Sequence, residues 1–444
     1  MTDERLKIRL NDILIWAFAF WPFLWGCWGV FRVPVFFHGL PMTSILLFAL
    51  TALCLIAHPR FSFGIFGFWI VFLIVILAEN ARRMTDQFKN DFPVMVCCVL
   101  ICMSMAVGKI NKKMILRCLM WCGLVIVVSV IADKATGVCR SGFFGLYRPG
   151  VVALKRQMDG TAGLVLFTGT AGNYIFNGLA AFAAIILMKK EKNWILSWSV
   201  IGLFALSAVL IQKRGFLLDF VAGILFLMLL GFRKEKAARI NVSRMIWTVI
   251  LIGAALIGFY VLYRFIPLVH SSVDALAGRF SGEDATLSTL NGRQQLYTLA
   301  FRLFKGHRLT GIGWGCYRQH SIGVFGGTSD YTYATHNVYI QLLCETGVAG
   351  LAAFLAAVGN ILIAASYRYR KLVLTDPDSE ERVITGAGIF LQAFFLAYCM
   401  SGNPLYDYNF VVSYFIGVLL TLTVPEAKES KARESGHSYI LKRT

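Results

Sequence analysis

Residues 291–350 read NGRQQLYTLAFRLFKGHRLTGIGWGCYRQHSIGVFGGTSDYTYATHNVYIQLLCETGVAG. Arginines, histidines, glycines and aromatics crowd the stretch up to His336, where an apolar run begins and continues to about residue 366. Spanning a bilayer takes about 20 mostly apolar residues, so that run is long enough to cross one. Outward from it the pattern repeats, giving about twelve apolar runs of that kind. They lie near residues 12–31, 41–57, 62–78, 93–108, 114–132, 162–188, 194–211, 216–232, 246–266, 336–366, 384–400 and 406–424.

With 57% hydrophobic and only 15% charged residues among 444, a water-soluble chain could not hide its apolar surface in one core. The expected fold class is an all-α integral membrane protein of about twelve transmembrane helices. Residues 1–444 read as one polytopic domain, with outside loops at 133–161 and 267–335, the latter carrying short helices, and a tail at 425–444. The first run follows a basic N-terminus, but its length, its tryptophans and the lack of a small-x-small cleavage site mark an uncleaved helix.

The net charge of +19 raises nucleic acid as a partner. The basic residues instead sit in short loops between apolar runs, so no nucleic acid is expected. If Arg5, Lys7 and Arg9 are cytoplasmic, then Lys112, Lys113, Lys189, Lys190, the 233–244 loop and Arg368, Arg370 and Lys371 follow the positive-inside rule. Both termini are then cytoplasmic and the span number is even. The outside segments nevertheless carry Arg82, Arg83, Arg140, Arg148, Lys155, Arg156, Lys213, Arg214, Arg293, Arg302, Lys305, Arg308 and Arg318. Two readings stand for each: contact with an anionic substrate, or anchoring to lipid headgroups. Arg148, with Arg140, Lys155 and Arg156, lies in the long loop DKATGVCRSGFFGLYRPGVVALKRQMDGT, a length that often serves function.

Most cysteines fall in apolar runs and act as small hydrophobes. Cys139 and Cys316 fall in outside segments, where an oxidising compartment would allow a disulfide. Residues 1–132 read as scaffold. The run at 162–188 holds Asn173, Asn177 and several glycines, so one side of it should face protein rather than lipid.

In IQKRGFLLDF, 211–220, Lys213 and Arg214 stand between two apolar runs with almost no loop to hold them, which makes Arg214 a functional candidate. QQLYTLAFRLF after Asn291 has helical apolar spacing, placing Arg293 in the first turn of an amphipathic helix. From His336 onward, Asn337, Gln341 and Glu345 recur at helical spacing as one polar stripe, and Gly347 and Gly350 follow as small residues for close helix approach. A helix N-terminus beside arginines suits phosphate, and a histidine titrating near neutrality suits proton transfer from a hydroxyl. Gly311, Gly313 and Gly315 lack the strand and lysine of a nucleotide loop and read as a sharp turn. His307 and His320 offer a metal set with His336, but no supporting partners are legible, and no metal or cofactor is expected.

Arg214 with Leu218 four residues on, NGR at 291–293, TGIGWG at 310–315 and HNVYIQLLCETGVAG at 336–350 together resemble the O-antigen ligase and polymerase-like superfamily. These motifs cover about a third of the chain. The last fits the ligase pattern of His-Asn, nine residues, Gly-x-x-Gly; Lys213 and Leu351 depart from residues common there. The resemblance implies a GT-C-like, inverting, metal-independent glycosyltransferase in the bacterial inner membrane, its active site facing the periplasm. Its implied donor is a glycan on undecaprenyl pyrophosphate and its acceptor a lipid A core sugar. Carried over, Arg214 and Arg293 would hold the donor pyrophosphate and His336 would be the catalytic residue. Lys213, Asn337, Gln341 and Arg148 would support them. A polymerase joining repeat units and a transporter of lipid-linked glycan remain the alternatives. The absence of a large soluble C-terminal domain argues against the protein-glycosylating relatives.

Overall fold

The computed structural model describes residues 2–27, 42–81, 83–108, 110–141, 162–165, 167–189, 194–231, 260, 263–264, 269–271, 273–274, 290–322, 324 and 332–422. Among them there is no strand. The helices are α1 (Thr2–Gly26), α2 (Met42–Ala57), α3 (Gly67–Asn80), α4 (Asp86–Met105), α5 (Lys112–Thr136), α6 (Thr168–Lys189) and α7 (Trp194–Leu210). They continue with α8 (Arg214–Gly231), α9 (Leu290–Gly306), α10 (Cys316–His320), α11 (Val338–Thr375), α12 (Glu380–Ser401) and α13 (Tyr408–Thr421). Six of these, α4, α5, α6, α8, α11 and α12, are long and apolar enough to cross a membrane; α2, α3, α7, α13 and the Leu10–Gly26 part of α1 are shorter apolar helices. The architecture is all-α and consistent with a membrane protein. The apolar run at 246–266, the loop residues Arg148, Lys155 and Arg156, and the 425–444 tail lie wholly or almost wholly outside the described residues.

Local chemistry sets the helix ends. Thr85, Asn111, Asn337, Ser379 and Asp407 cap α4, α5, α11, α12 and α13 by accepting backbone N–H groups, and Gly137 closes α5 in the left-handed conformation at φ 68°. The polar side of α6 faces protein: Asn173 Nδ2 donates to Ser413 Oγ (3.0 Å) and to the Asn409 carbonyl (3.3 Å), and Asn177 Nδ2 to Asn173 Oδ1 (2.8 Å).

Helix ends gather in two layers. In one, Lys112 bonds Glu381 (2.6 Å) and the Leu422 carbonyl (2.6 Å), Arg368 bonds Glu381 (2.5 Å) and the Thr421 carbonyl (2.6 Å), and Lys113 pairs with Glu380 (2.6 Å). These basic residues, read as topology markers, also tie α5, α11, α12 and α13 together. The other layer holds the ends of α3 and α12, the starts of α4, α8, α11 and α13, and the stretch from α9 to His336.

The long apolar run from His336 is not one straight helix. Gly347 sits at φ 62° and ψ −166°, a conformation essentially restricted to glycine. Tyr339 and Phe354, fifteen residues apart in sequence, bring their rings to 6.4 Å. A continuous helix would separate them by about 22 Å along its axis, so the chain turns back at Gly347. Such a break leaves backbone groups without partners, which is costly away from water. The loop at 308–313 supplies them. Ile312 and Gly313 donate their N–H groups to the carbonyls of Cys344 (3.0 Å) and Glu345 (2.8 Å), while Val348 and Ala349 donate to the carbonyls of Arg308 (2.9 Å) and Leu309 (3.4 Å). In an unbroken helix, Val348 and Ala349 would have donated to Cys344 and Glu345. The loop is therefore spliced into the helix, taking up both the donors and the acceptors of two missing helical hydrogen bonds.

This corrects the reading of Gly347 as a helix-packing residue. A Cβ at Gly347 would lie 2.2 Å from the Leu309 carbonyl oxygen, and one at Gly311 would lie 2.3 Å from the Glu345 carbonyl carbon. The glycines let two backbones touch.

Candidate functional site

The spliced loop is fixed from below by the first part of the chain. The Trp314 N–H donates to Asn80 Oδ1 (2.8 Å), its carbonyl accepts from Thr85 Oγ1 (2.6 Å), and its indole N–H donates to the buried Asp91 (2.9 Å). Arg83 donates to the Ile312 carbonyl. Arg83 is thus committed to the loop backbone, and α3 and α4 are part of the site's frame rather than remote scaffold. The Trp314 ring also stacks on Tyr406, 4.5 Å between centroids.

Above the loop, the polar stripe on the first leg of α11 faces inward. Gln341 and Glu345 are fully buried. Glu345 accepts from the Tyr317 N–H (3.2 Å), from Gln341 Nε2 (3.3 Å) and from the Tyr406 hydroxyl (2.8 Å). Gln341 Oε1 accepts from Asn403 Nδ2 (2.6 Å) and from the Thr335 N–H (3.3 Å). The column thus runs from Trp314 and Tyr406 through Glu345 and Gln341 to Thr335, the residue before His336. Every buried polar atom needs such a partner, which explains why an acid and an amide are tolerated here.

His336 is not the first residue of the helix but lies just outside it. Its backbone is left-handed, φ 56°, a strained setting for a residue with a Cβ. Neighbours hold it there. Thr335 Oγ1 donates to the Asn337 carbonyl (2.7 Å), and Asn337 caps α11 by accepting the Ile340 N–H (3.1 Å) while donating to the Met400 carbonyl (3.2 Å).

The imidazole is pushed down to about 4, first by burial among protein atoms and then by repulsion from Arg293, Lys213 and Arg318. His336 is exposed, so water weakens both the burial cause and the repulsion, and the downward direction is what the three neighbouring cations support. The ring is neutral at physiological pH and can accept a proton.

Arg293 lies in the first turn of α9, as its spacing predicts. The apolar side of that helix is used: Leu296 and Ala300 are buried against Ile312, Tyr317 and Cys344. Arg214 is the first residue of α8. A Cβ on its neighbour Gly215 would lie 3.2 Å from Ser401 Oγ, and Ser401 follows Met400, to which Asn337 is bonded. The last turn of α12 thus joins the Arg214 turn to the His336 segment, and Lys213 is felt at the imidazole. Arg148 lies outside the described residues.

Three features were missed from the sequence. Arg318 was one of many outside cations, although it follows the glycine turn closely. Asn80 and Asp91 stood at the edges of apolar runs, where a polar residue draws no notice. Asn403 and Tyr406 sit in a short connection with no motif. Cys139 and Cys316 are free thiols, so no disulfide joins them. Among the described residues, no three His, Cys, Asp or Glu side chains gather as a metal site; the neighbours of His336 are cations.

In this helical protein, His336 stands beside the start of a broken helix, within electrostatic reach of Arg293, Lys213 and Arg318. Residues 199–355 match the family model for O-antigen ligase, and this match, which contains Arg214, Arg293, His336 and the spliced loop, supports the O-antigen ligase-like superfamily. No individual curated protein matches the chain.

Proposed function

We propose that this protein is an O-antigen ligase, transferring a glycan from undecaprenyl pyrophosphate to a sugar of the lipid A core on the periplasmic face of the bacterial inner membrane. What supports it is the O-antigen ligase family match over residues 199–355, which contains His336 and the basic residues Arg293, Lys213 and Arg318 that push its imidazole down. In this reading the chain crosses the membrane about twelve times, each span taking about 20 apolar residues, and both termini are cytoplasmic.

The chemistry needs no covalent enzyme intermediate. The acceptor hydroxyl attacks the anomeric carbon and passes its proton to His336, while the bond from that carbon to the pyrophosphate oxygen breaks with its electron pair. Configuration is inverted. The leaving group carries the developing negative charge, and the guanidinium groups of Arg214 and Arg293 stabilise it with preorganised hydrogen bonds. Proton transfer by a placed histidine contributes about 10²–10⁴-fold in rate.

The test is reconstitution of the purified chain in liposomes with lipid-linked glycan and lipid A core. Glycan appearing on the core without ATP or added metal supports the ligase. Longer chains on the carrier with bare core would show a polymerase instead. In cells, loss of the ligase leaves bare core and polymer on the carrier, whereas loss of a polymerase leaves core with one repeat.

A further inference from the structure

Arg318 is absent from the motifs that carry the resemblance, yet the chain spends several contacts on placing it. Its helix α10 starts after Gly315, at φ 79°, where a Cβ would lie 2.7 Å from the Gln87 side chain. Tyr317, fully buried, bonds in two directions: its N–H to Glu345 (3.2 Å) and its hydroxyl to the Leu296 carbonyl (2.8 Å). Leu296 is one helical turn beyond Arg293. On the other side, buried Ser321 Oγ donates to the Arg318 carbonyl (2.7 Å) and accepts the Tyr333 N–H (2.7 Å), three residues before His336. Arg318 is therefore held between the helix that carries Arg293 and the strand of chain that carries His336.

Its side chain is not used up by the fold. The Nε atoms of both Arg318 and Arg293 are buried and make no hydrogen bond among the described residues, and neither guanidinium enters an ion pair there. Asp91 is within electrostatic reach of Arg318 but is bonded to the Trp314 indole. A buried donor without an acceptor is costly, and phosphate oxygens are acceptors that would satisfy both. Both also act on the same imidazole.

We propose that Arg318 is a third guanidinium of the donor site, binding the pyrophosphate of the lipid-linked glycan together with Arg293. The proposal rests on the ligase reading and extends it. A planar fork presenting several N–H groups fits phosphate oxygens in pairs, which a lysine in the same place does not reproduce. The two negative charges of the pyrophosphate are met from two sides, one by α9 and one by α10.

The experiment is binding of undecaprenyl pyrophosphate, without acceptor, to the full-length chain in nanodiscs. Arg318→Ala is expected to weaken binding about 10- to 100-fold, the range of one or two charge-assisted hydrogen bonds. Arg318→Lys keeps the stem and charge, covers the case in which the alanine variant fails to fold, and is expected to weaken binding about 10-fold. Arg302→Ala, on the exposed side of α9, is expected to bind as wild type. Wild-type affinity in Arg318→Lys and Arg318→Ala, with Arg293→Ala weakened, overturns the proposal and leaves the ligase reading standing. So does a change confined to acceptor saturation, which would assign Arg318 to the acceptor. A wild-type chain that binds no undecaprenyl pyrophosphate overturns both.

Discussion

Gly347→Ala isolates the splice between the 308–313 loop and the broken helix. The added Cβ would lie 2.2 Å from the Leu309 oxygen, 2.3 Å from its carbonyl carbon and 2.7 Å from the Thr310 nitrogen, all backbone atoms that no rotamer change can move aside. Backbone must shift, and the four loop–helix hydrogen bonds are what it shifts against. Each contributes about 0.5–1.5 kcal/mol net. Holding alanine at this φ and ψ adds about 1–3 kcal/mol of strain. Losing half the bonds and bearing the strain costs roughly 2–6 kcal/mol, a large part of the ~5–15 kcal/mol that holds a typical fold together.

The assay is thermal unfolding of the detergent-solubilised chain followed by tryptophan fluorescence, with glycan transfer measured alongside. The midpoint should fall by roughly 2–6 °C and transfer should be lost, because the first leg of α11 carries Gln341 and Glu345. Gly359→Ala in the same helix is the control. A Cβ there meets nothing within 4 Å, and the φ is helical, so about 0.5–1 kcal/mol of stabilisation is expected. If Gly347→Ala melts and transfers like wild type while Gly359→Ala behaves as stated, the spliced geometry is wrong.

Two further outcomes follow from His336. Asn is tolerated in the left-handed conformation, so His336→Asn should melt like wild type yet lose transfer by about 10²-fold or more; retained transfer would remove the imidazole from the chemistry. The pH dependence has a definite sign: with the imidazole pushed down to about 4, the neutral form persists on acidification and kcat/KM should hold until the pH falls toward 4. Arg293→Gln removes one repelling charge and should move that acid limb upward, toward the ordinary 6.5 of histidine. A wild-type limb already at 6.5 would show that the cations do not act on the ring.

Much of the fold was legible because hydropathy is a property of single segments. Apart from the run at 246–266, each apolar run is helical over most of its described residues, the one from His336 with its break at Gly347. Breaks are different, since glycine occurs both where helices pack and where they fail. Gly347 and Gly350 carried no local mark of which they served. TGIGWG was read as a sharp turn, and its positive φ values at Gly311, Gly313 and Gly315 agree, but its partner was invisible because the contact is between backbones. The polar stripe was legible by spacing and its inward direction follows from the cost of polar groups in lipid. Its acceptors and donors, Asn403, Tyr406 and Tyr317, come from connections whose approach depends on the whole bundle.

The two glycine motifs are best understood as one device. A helix that must deliver His336 beside the last turn of α12, and also run past α3 toward Arg368, cannot be straight. Breaking it exposes backbone groups, and only another backbone brought to contact distance can satisfy four of them at once. Glycines are therefore needed on both sides, at Gly347 in the helix and at Gly311 in the loop. The loop must itself be immobile, and Asn80, Arg83, Thr85 and Asp91 make it so. The same loop leads straight into α10, so what repairs the helix also aims Arg318. His336 and Arg318 are thereby set by one piece of backbone, and a change in the splice should disturb both together, whereas a change at either side chain should leave the other in place.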